Sequence, residues 1–423
     1  MFDVVIVGGG AAGFFAAIHI AEARPQLKIA ILERGKQVLT KVKVSGGGRC
    51  NVTHAELNPA DLVSNYPRGE KELLGPFHTY ASGDTIGFFE KRGIALKIEE
   101  DGRMFPTTDS SQTIIDCFTS EADRLGVHII RICTVTGFMN ISSDEGDLWE
   151  ISTAKKTYRS KKLLLTTGSN PKIWDLLSGL GHTIVPPVPS LFTFNIQDER
   201  IKNIPGISTH AEVAVLDKIK SRRNNGRVGH SEILSSEGPL LITHWGMSGP
   251  AILKLSAWGA RILASYEYEF RIKVNWVPDY HADGLLELFM KVKQVEKKTV
   301  IRTKVLDIPK RLWANLVRAS GIDDALTWPE VSKNQLQDLT AQLTESLFFV
   351  NGKSTFKEEF VTAGGLDLKE VNFKTFESKV LPNVYFAGEI LNIDAITGGF
   401  NFQNAWTGGF LAAQGIVNSF DRT

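Results

Sequence analysis

The residues whose spacing could do chemistry stand near the start of the chain. Gly8, Gly10 and Gly13 hold the G-x-G-x-x-G spacing, and Glu33 follows 20 residues after the third glycine. In such a motif the first glycine permits a tight turn, the second lets backbone approach a pyrophosphate, and the third allows close packing of helix on strand. An acid at the position of Glu33 binds ribose hydroxyls. Together these residues predict a dinucleotide site.

The elements that must position this motif are visible on either side of it. Val4 to Val7 is an apolar, β-branched run of the kind found in parallel strands covered on both faces. A helix after the glycines would direct its free N–H groups and its dipole at the phosphates. A second strand, Lys28 to Leu32, would carry Glu33 at its end. The alternative interpretation is an ordinary strand–helix turn.

A second glycine-rich segment, Ser45-Gly46-Gly47-Gly48-Arg49-Cys50-Asn51, follows. Successive glycines disfavour regular structure and predict a loop whose backbone lies against a flat or charged group. Arg49 could meet an anion there, and the alternative is a surface loop with a solvated arginine. Cys50 has no activating histidine nearby in sequence, so we interpret it as a packed thiol rather than a nucleophile.

Three later segments repeat the pattern of a glycine at a strand end or helix start. They are Leu163 to Gly168, Val384 to Glu389 and Thr397 to Gln403. In a doubly wound sheet, ligands lie at the carboxyl ends of the strands. Glycine-rich strand ends and helix starts at so many separate positions are more than one NAD molecule needs. They fit the longer FAD molecule, lying extended across the sheet. Glu389 would then reach the ribityl chain, and the helix starting near Asn401 would direct N–H groups to the flavin's pyrimidine edge.

Composition excludes several classes of protein. The chain has 423 residues, 43% of them hydrophobic and 22% charged, which allows two or three domains of an ordinary soluble protein. A net charge of +1 gives no reason to expect nucleic acid or an anionic membrane. No run is long enough to span a membrane, and no signal peptide precedes the first strand. Three cysteines without a C-x-x-C pair argue against a zinc or dithiol site and for the cytoplasm.

The order of patterns along the chain predicts an α/β fold with an insertion. Pro186 to Pro189 cannot pair in a sheet and is interpreted as a linker. Beyond it come short alternating strands, with the basic run Ser221 to Arg227 interpreted as a solvated hairpin tip, the alternative being an anion site. The predicted domains are a first part of the FAD-binding domain at 1–190, an inserted β-barrel-like domain at 191–280 and 345–355, a helical subdomain at 281–344, and the C-terminal part of the FAD-binding domain at 356–423.

The strings VVIVGGGAAG, SGGGRCNVTH, LLITHWGMSGPAIL, FVTAGGLDL and YFAGEILNIDAITGGFNFQNAW resemble the BaiN-like, or YhiN-like, bacterial flavoproteins. These are also called NAD(P)/FAD-dependent oxidoreductases or aminoacetone oxidase-family enzymes. The resemblance covers nearly the full length. It implies a Rossmann-type FAD-binding domain of the glutathione-reductase kind, interrupted by a β-barrel domain with a helical piece. Relatives usually continue Thr-Gly-Gly with a glycine-rich segment, whereas Gly168 is followed by Ser169-Asn170-Pro171.

The resemblance also implies FAD contacts by position. They fall at Gly8, Gly10, Ala11, Ala12, Glu33, Arg34, Ser45, Gly46, Arg49, Cys50, Asn51, Val135, Thr167, Gly168, Gly388, Glu389, Asn401 and Phe402.

These observations predict a soluble FAD-dependent oxidoreductase acting on a small organic substrate. No second G-x-G-x-x-G followed by an acid is present, so NAD(P)H would visit the flavin only transiently. The expected substrate site is the cleft between the sheet's carboxyl edge and the inserted domain. His244 and Trp245 are candidates there, although a hydrogen-bonded structural histidine is the simpler interpretation of His244. No catalytic residue and no metal ligand is assigned.

The sequence leaves three other functions open. A flavin-dependent RNA-modifying enzyme is opposed by the neutral charge and by the absence of a basic stripe and of paired cysteines. A regulatory flavoprotein would bind FAD without turnover. A plain NAD-binding dehydrogenase would be colourless when purified.

Overall fold

Helices and strands alternate through the first part of the chain. Up to residue 190 they are β1 (Phe2–Val7), α1 (Ala11–Ala23), β2 (Ile29–Leu32), α2 (Thr40–Gly48), β3 (Thr53–His54), α3 (Pro59–Val63), α4 (Glu70–Thr79), α5 (Ser82–Glu90), β4 (Leu96–Ile98), β5 (Arg103–Pro106), α6 (Ser111–Arg124), β6 (His128–Ile130), β7 (Val135–Ser143), β8 (Gly146–Thr153), β9 (Thr157–Leu165), α7 (Pro171–Gly179) and β10 (Ile184–Ser190).

Short strands and a group of helices follow, and the chain ends on a long helix. From 193 to 354 the elements are β11 (Thr193–Asn195), β12 (Ser208–Leu216), β13 (Glu232–Ile242), β14 (Gly246–Ser248), α8 (Pro250–Trp258), α9 (Ala260–Ser265), β15 (Glu269–Asn275), α10 (Ala282–Val295), α11 (Lys310–Ala319), α12 (Lys333–Thr344), β16 (Ser346–Asn351) and β17 (Lys353–Ser354). The last are β18 (Val361–Leu366), β19 (Val371–Asn372), β20 (Glu377–Ser378), β21 (Val384–Phe386) and α13 (Phe400–Ser419).

The computed structural model describes residues 1–143, 146–217, 231–354 and 361–421. Its contacts divide the chain into a first unit, Met1–Val188 with Lys357–Thr423, and a second unit, Pro189–Phe356. The basic run Ser221 to Arg227, interpreted above as a hairpin tip, lies outside the described residues.

A parallel sheet forms the centre of the first unit. Its strands lie in the order β21-β9-β1-β2-β6, with Val5 opposite both Ala30 and Leu163. β1 and β2 are apolar because they lie in the core of this unit, and every residue of β2 is buried. Because the strands are parallel, their carboxyl ends meet at one edge, and the predicted glycine-rich segments follow β1, β9 and β21 there. The predicted Rossmann-type fold class is confirmed.

Two local predictions in this unit are also confirmed. β4 and β5 form the antiparallel hairpin predicted around Asp101-Gly102. α6 begins where predicted, with the Ser110 side chain accepting a hydrogen bond from Gln112 N, and it buries Ile114 and Phe118 of the predicted apolar stripe.

The interpretation of Pro186 to Pro189 as an unpaired linker is wrong. These residues lie in β10, which pairs with β18 in a two-stranded sheet. Proline lacks an N–H, but a strand with a single partner needs donors on one side only. The glycine of the partner strand lets the two backbones lie close together, since a Cβ placed on Gly364 would lie 2.5 Å from Pro187 Cα.

The sheet of the second unit closes on itself, as the predicted β-barrel-like domain requires. Its order is β16-β15-β12-β13-β14-β11-β17, and the two end strands are consecutive pieces of chain on either side of Gly352. Asn195 N donates to Gly352 O at 3.1 Å and joins the ends. Alternate residues such as Val213, Ile272 and Phe348 fill the interior. The helices α10 to α12 pack with this sheet in one core.

Candidate nucleotide-binding site

The glycine-rich turn after β1 is shaped by two glycines and left open by a third. A Cβ on Gly8, which has φ +112°, would lie 2.4 Å from Thr166 O, and a Cβ on Gly13 would lie 2.2 Å from Gly8 O. Both positions therefore exclude a side chain on packing grounds. Among the residues that the structure describes, no atom lies within 4 Å of a Cβ placed on Gly10. The turn consequently keeps free space at the residue that precedes α1.

α1 begins without a side-chain cap at Gly10 and without an acid in its first turn. The first backbone hydrogen bond of the helix runs from Phe14 N to Gly10 O. The N–H groups of Ala11, Ala12 and Gly13 precede it and have no acceptor within the helix. The positive end of α1 is thus available to an anion beside the open space at Gly10.

Glu33 is fixed against the same turn. Its Oε2 accepts from Gly9 N at 2.9 Å, and its Oε1 accepts from Gly35 N at 2.7 Å. Each carboxylate oxygen keeps a lone pair for a further donor, such as a ribose hydroxyl. The neighbouring Arg34 is exposed. Val135, a predicted contact at the start of β7, follows closely on Cys133, whose N–H donates to Glu33 O at 2.8 Å.

The second glycine-rich segment starts as the last turns of α2 and then leaves the helix. Ser45 is extended, and Gly46 and Gly47 take positive φ angles of +58° and +68°. A Cβ on Gly46 would lie 2.8 Å from Phe105 Cε1, whereas one on Gly47 would have open space. The predicted loop therefore presents bare backbone at Gly47.

Arg49 faces protein carboxylates. Its Nη1 lies 2.5 Å from Glu99 Oε1 and 3.6 Å from Asp109 Oδ1, and its Cζ lies 3.9 Å above the ring of Phe105. The hydrogen bond to Glu99 raises the pKa of Arg49. The anionic partners of this guanidinium are thus residues of the β4–β5 hairpin and the loop after it.

Cys50 and Asn51 connect this segment to the core and to the last helix. Cys50 is fully buried and burial raises the pKa of its thiol to about 12, so the interpretation as a packed thiol is confirmed. Oriented to satisfy both neighbours, the Asn51 amide donates to Thr53 O at 3.1 Å and accepts from Gly399 N at 2.9 Å. Asn51 therefore fixes the residue that begins α13.

The start of α13 offers backbone rather than side-chain groups. Gly399 precedes the helix with φ +93° and supplies no side-chain cap. The amide of Asn401 is already bonded to Ala395 N at 3.0 Å and Ala395 O at 3.1 Å. Phe402 stacks on Trp406, with ring centres 5.6 Å apart. The predicted contribution of Asn401 is thereby reduced to its N–H in the first helical turn.

The segments that follow β9 and β21 lie close to each other and to α1 and α13. A Cβ on Gly388 would lie 3.4 Å from Ala12 Cβ and 3.9 Å from Ala405 Cβ. A Cβ on Gly168 would lie 3.7 Å from Glu389 Oε2, and Glu389 forms an ion pair with Lys41. Four segments predicted separately from the sequence are thus brought to one region.

Two side chains in or beside these segments have buried polar atoms without a hydrogen-bond partner in the described part of the chain. These atoms are Thr167 Oγ1, next to Gly168, and both amide atoms of Asn404 in α13. Nearly all buried polar groups in proteins are paired, so these atoms have room for a partner such as a ligand or a water. With the open space at Gly10 and Gly47, these residues fit a nucleotide. Asn404 was missed at first, although a polar side chain among the apolar residues of α13 was a visible signal.

His244 and Trp245 lie in the turn between β13 and β14 of the second unit. Both are exposed, Trp245 to 60% of its surface, and Thr243 Oγ1 accepts from Trp245 N at 3.2 Å. In the ranges that the structure covers, no group of three His, Cys, Asp or Glu side chains could hold a metal ion. No helix within those ranges has the length and hydropathy needed to cross a membrane.

Comparison with known proteins gives one family and several full-length relatives. The family model described as the HI0933-like protein Rossmann domain matches residues 2–415. Ribosomal RNA dihydrouridine synthases of Haemophilus influenzae and Escherichia coli are 27% and 28% identical, covering 97% and 98% of this chain and 98% of each protein. The 3-dehydro-bile acid delta(4,6)-reductase of Clostridium scindens is 26% identical and covers 98% of both chains.

Proposed function

The chain belongs to the family of the HI0933-like protein Rossmann domain and is a flavoprotein of the FAD-dependent oxidoreductase type, and from this premise we propose its reaction. The protein reduces a carbon–carbon double bond that is conjugated to a carbonyl group. NADH or NADPH is the electron donor, and the acceptor is a small organic molecule.

The proposal rests on one observation: the reactions for which the relatives are named reduce the same type of carbon–carbon double bond. Dihydrouridine is uridine whose ring double bond, conjugated to a ring carbonyl, has been reduced. The double bonds of a delta(4,6) 3-dehydro-bile acid are conjugated to its ketone. The acceptors differ greatly, but each reduction adds two hydrogens to an alkene activated by a carbonyl.

The glycine-rich segments and helix starts of the candidate site would hold FAD through groups whose positions are described above. The N–H groups at the start of α1 would bind the pyrophosphate beside Gly10, and Glu33 would accept from ribose hydroxyls. Glu389, beside Gly168, would accept from the ribityl chain. When bound, FAD supplies the two-electron chemistry, because its reduced ring donates hydride to an electrophilic carbon.

The start of α13 would control charge at the flavin's pyrimidine edge. Its N–H groups lack a side-chain cap, so the positive end of a 20-residue helix would stabilise negative charge there. Asn51 keeps this end in place through its hydrogen bond with Gly399 N. The contribution is electrostatic and is made before any reaction begins, since these groups do not have to reorganise.

Anaerobic mixing of the purified holoprotein with NADH or NADPH tests the proposal. We expect the visible flavin absorption to bleach and to return when a cyclic α,β-unsaturated ketone is added. The matched saturated ketone should leave the flavin reduced. If an amine or alcohol substrate bleaches the flavin while the unsaturated ketone never restores it, the protein is a dehydrogenase or oxidase and the proposal fails.

The uracil base of RNA is a second candidate acceptor, because two full-length relatives are named as ribosomal RNA dihydrouridine synthases. Mass spectrometry of ribosomal RNA incubated with the holoprotein and NAD(P)H would detect it as a uridine heavier by two hydrogens. RNA from cells that lack the gene is the required substrate, because RNA already modified would give no signal.

A further inference from the structure

The near-neutral net charge of the chain conceals one strongly basic segment. Between residues 291 and 318, nine of 28 residues are Lys or Arg and two are Asp or Glu. This segment alone carries a formal charge of +7, although the entire chain carries +1. This local excess of cations is not visible in the net charge of the chain.

The backbone of this segment is fixed on buried tryptophans of the second unit. Trp313 Nε1 donates to Val300 O at 3.0 Å, and Trp328 Nε1 donates to Thr303 Oγ1 at 3.0 Å. Five exposed cationic side chains lie on the segment before α11 and on the first turn of α11. We call this set the basic surface: Lys297, Lys298, Arg302, Lys310 and Arg311.

The basic surface has few counter-charges in the part of the chain that the structure describes. The Glu296 carboxylate accepts hydrogen bonds from the backbone N–H groups of Lys297 and Lys298, at 2.9 and 3.0 Å. The neighbouring cations Lys304 and Arg318 pair with Asp307 and Asp324, at 3.0 and 2.8 Å. None of the five residues of the basic surface has a carboxylate within ion-pair distance among the described residues. Such a concentration of one sign destabilises the folded chain by self-repulsion and creates a field that attracts anions.

The start of α11 adds to this field. Its first turn contains Lys310 and Arg311 and no acid, and Pro309 before it provides no side-chain cap. Cations at the positive end of a helix are unfavourable by about 0.3–1 kcal/mol each, so this placement is the reverse of a stabilising one. The unpaired cations and the uncapped helix end both favour an anionic partner at the same place.

We propose that the basic surface binds the phosphate backbone of RNA. Five cations on consecutive pieces of chain match a series of phosphates better than a single small anion, because nucleic acid carries one charge per nucleotide. The choice of RNA among polyanions rests on the proposed function, whose second candidate acceptor is a base in RNA. The contacts are to phosphates, so binding is independent of sequence and sensitive to salt.

Fluorescence anisotropy of the holoprotein with a labelled single-stranded oligouridylate, measured over a range of KCl concentrations, tests this proposal. The test variants are K297Q/K298Q/R302Q and K310Q/R311Q. The matched control, K71Q/K91Q/K155Q, removes three exposed charges of the first unit. In the test triple variant we expect affinity to fall about tenfold and the salt slope to decrease by about 2, since each phosphate contact contributes about 0.7. The control should bind as the wild type does.

Equal weakening in the control triple variant would overturn the proposal, because binding would then follow total charge rather than this surface. So would binding of phosphatidylserine vesicles in preference to RNA, which would assign the surface to a membrane.

Reduction of a small unsaturated ketone is measured on the same variants. Lost RNA binding with an intact reductase rate locates RNA at the basic surface. Wild-type protein that reduces the ketone but does not bind RNA overturns the surface alone, and RNA binding without any reduction overturns the proposed reaction alone.

Discussion

Gly9 N donates to Glu33 Oε2 at 2.9 Å, although the two residues are 24 positions apart. The acid at the end of β2 is therefore fixed directly against the glycine-rich turn that precedes α1. A second N–H, from Gly35, holds the other carboxylate oxygen at 2.7 Å. This arrangement needs both oxygens to be acceptors.

Glu33→Gln should weaken FAD binding by about tenfold to a hundredfold, since hydrogen bonds to charged groups contribute about 1.5–3 kcal/mol. The amide would oppose one N–H donor with another and would offer one acceptor fewer to a ribose. Flavin fluorescence during titration of apoprotein with FAD measures the affinity. Glu90→Gln, at an exposed site on α5, is the control and should bind as the wild type does. Unchanged affinity in Glu33→Gln would place the ribose elsewhere.

The glycines of the turn should respond to alanine in opposite ways. Gly13→Ala should destabilise the apoprotein strongly, because its Cβ would lie 2.2 Å from Gly8 O. Gly10→Ala should leave thermal unfolding of the apoprotein unchanged and lower the FAD content, since its Cβ would fill only the open space. Gly75→Ala, in α4 with no neighbour within 4 Å, should stabilise by about 0.5–1 kcal/mol. If Gly10→Ala purifies with full FAD, the pyrophosphate does not lie beside α1.

Cys50 should resist alkylation in the folded protein. Burial raises the pKa of its thiol to about 12, so almost no thiolate exists near neutral pH. Peptide mapping after iodoacetamide treatment should show Cys50 unmodified until denaturant is added. Cys117 is only partly buried and serves as the internal comparison, with a pKa raised to about 11. Faster modification of Cys50 than of Cys117 in the native protein would contradict the packed-thiol assignment.

His19 should make the protein less stable in mild acid. Burial beside Phe88, on which its ring stacks, lowers its pKa to about 4 from 6.5. Because the folded pKa is the lower one, the unfolded chain takes up the proton first as the pH falls. Stability from neutral His19 is therefore complete above about pH 6.5 and decreases toward pH 4, by at most about 1.4 kcal/mol per pH unit.

Denaturant unfolding of His19→Gln and wild type over this pH range measures the effect. The difference between their free energies of unfolding should change with pH. A constant difference would mean that His19 titrates normally in the folded state.

Much of the fold could be predicted because its signals are local. β1, β2 and the glycines between them are defined by residue type over a few positions, and their pairing follows from parallel topology. The strand at Pro186 to Pro189 was missed because its partner, Gly364 in β18, is remote in sequence. Only the pairing with β18 shows that the other edge of this strand has no neighbouring strand among the described residues, so that the prolines need no N–H donor there.

The site was harder to predict because each of its polar side chains could form hydrogen bonds or ion pairs with several different residues. Arg49 pairs with Glu99, which the β4–β5 hairpin brings to it, and Asn401 bonds to Ala395. Neither choice can be derived from residue spacing. The basic surface cannot be predicted from the net charge, since the value of +1 averages a positive segment with an acidic remainder.

Asn404 gives the sharpest test of whether a ligand completes the site. Both of its amide atoms are buried without a partner among the described residues, so in the apoprotein they carry a desolvation cost of about 1–3 kcal/mol. Asn404→Leu should therefore increase the free energy of unfolding of the apoprotein by that amount. With saturating FAD the gain should disappear, because the wild-type amide would then have its partner. Thermal unfolding with and without FAD measures both.

Gln403→Leu is the matched control, one residue away on the same helix. Its Oε1 accepts from Thr53 at 2.6 Å and Thr85 at 3.0 Å, and its Nε2 donates to Thr407 at 3.1 Å. Leucine there leaves buried hydroxyls without partners, so the apoprotein should become less stable by about 1–3 kcal/mol or more. If Asn404→Leu stabilises apoprotein and FAD complex equally, the amide contacts no part of the nucleotide. If it destabilises the apoprotein, the amide is already satisfied and the argument from its missing partners fails.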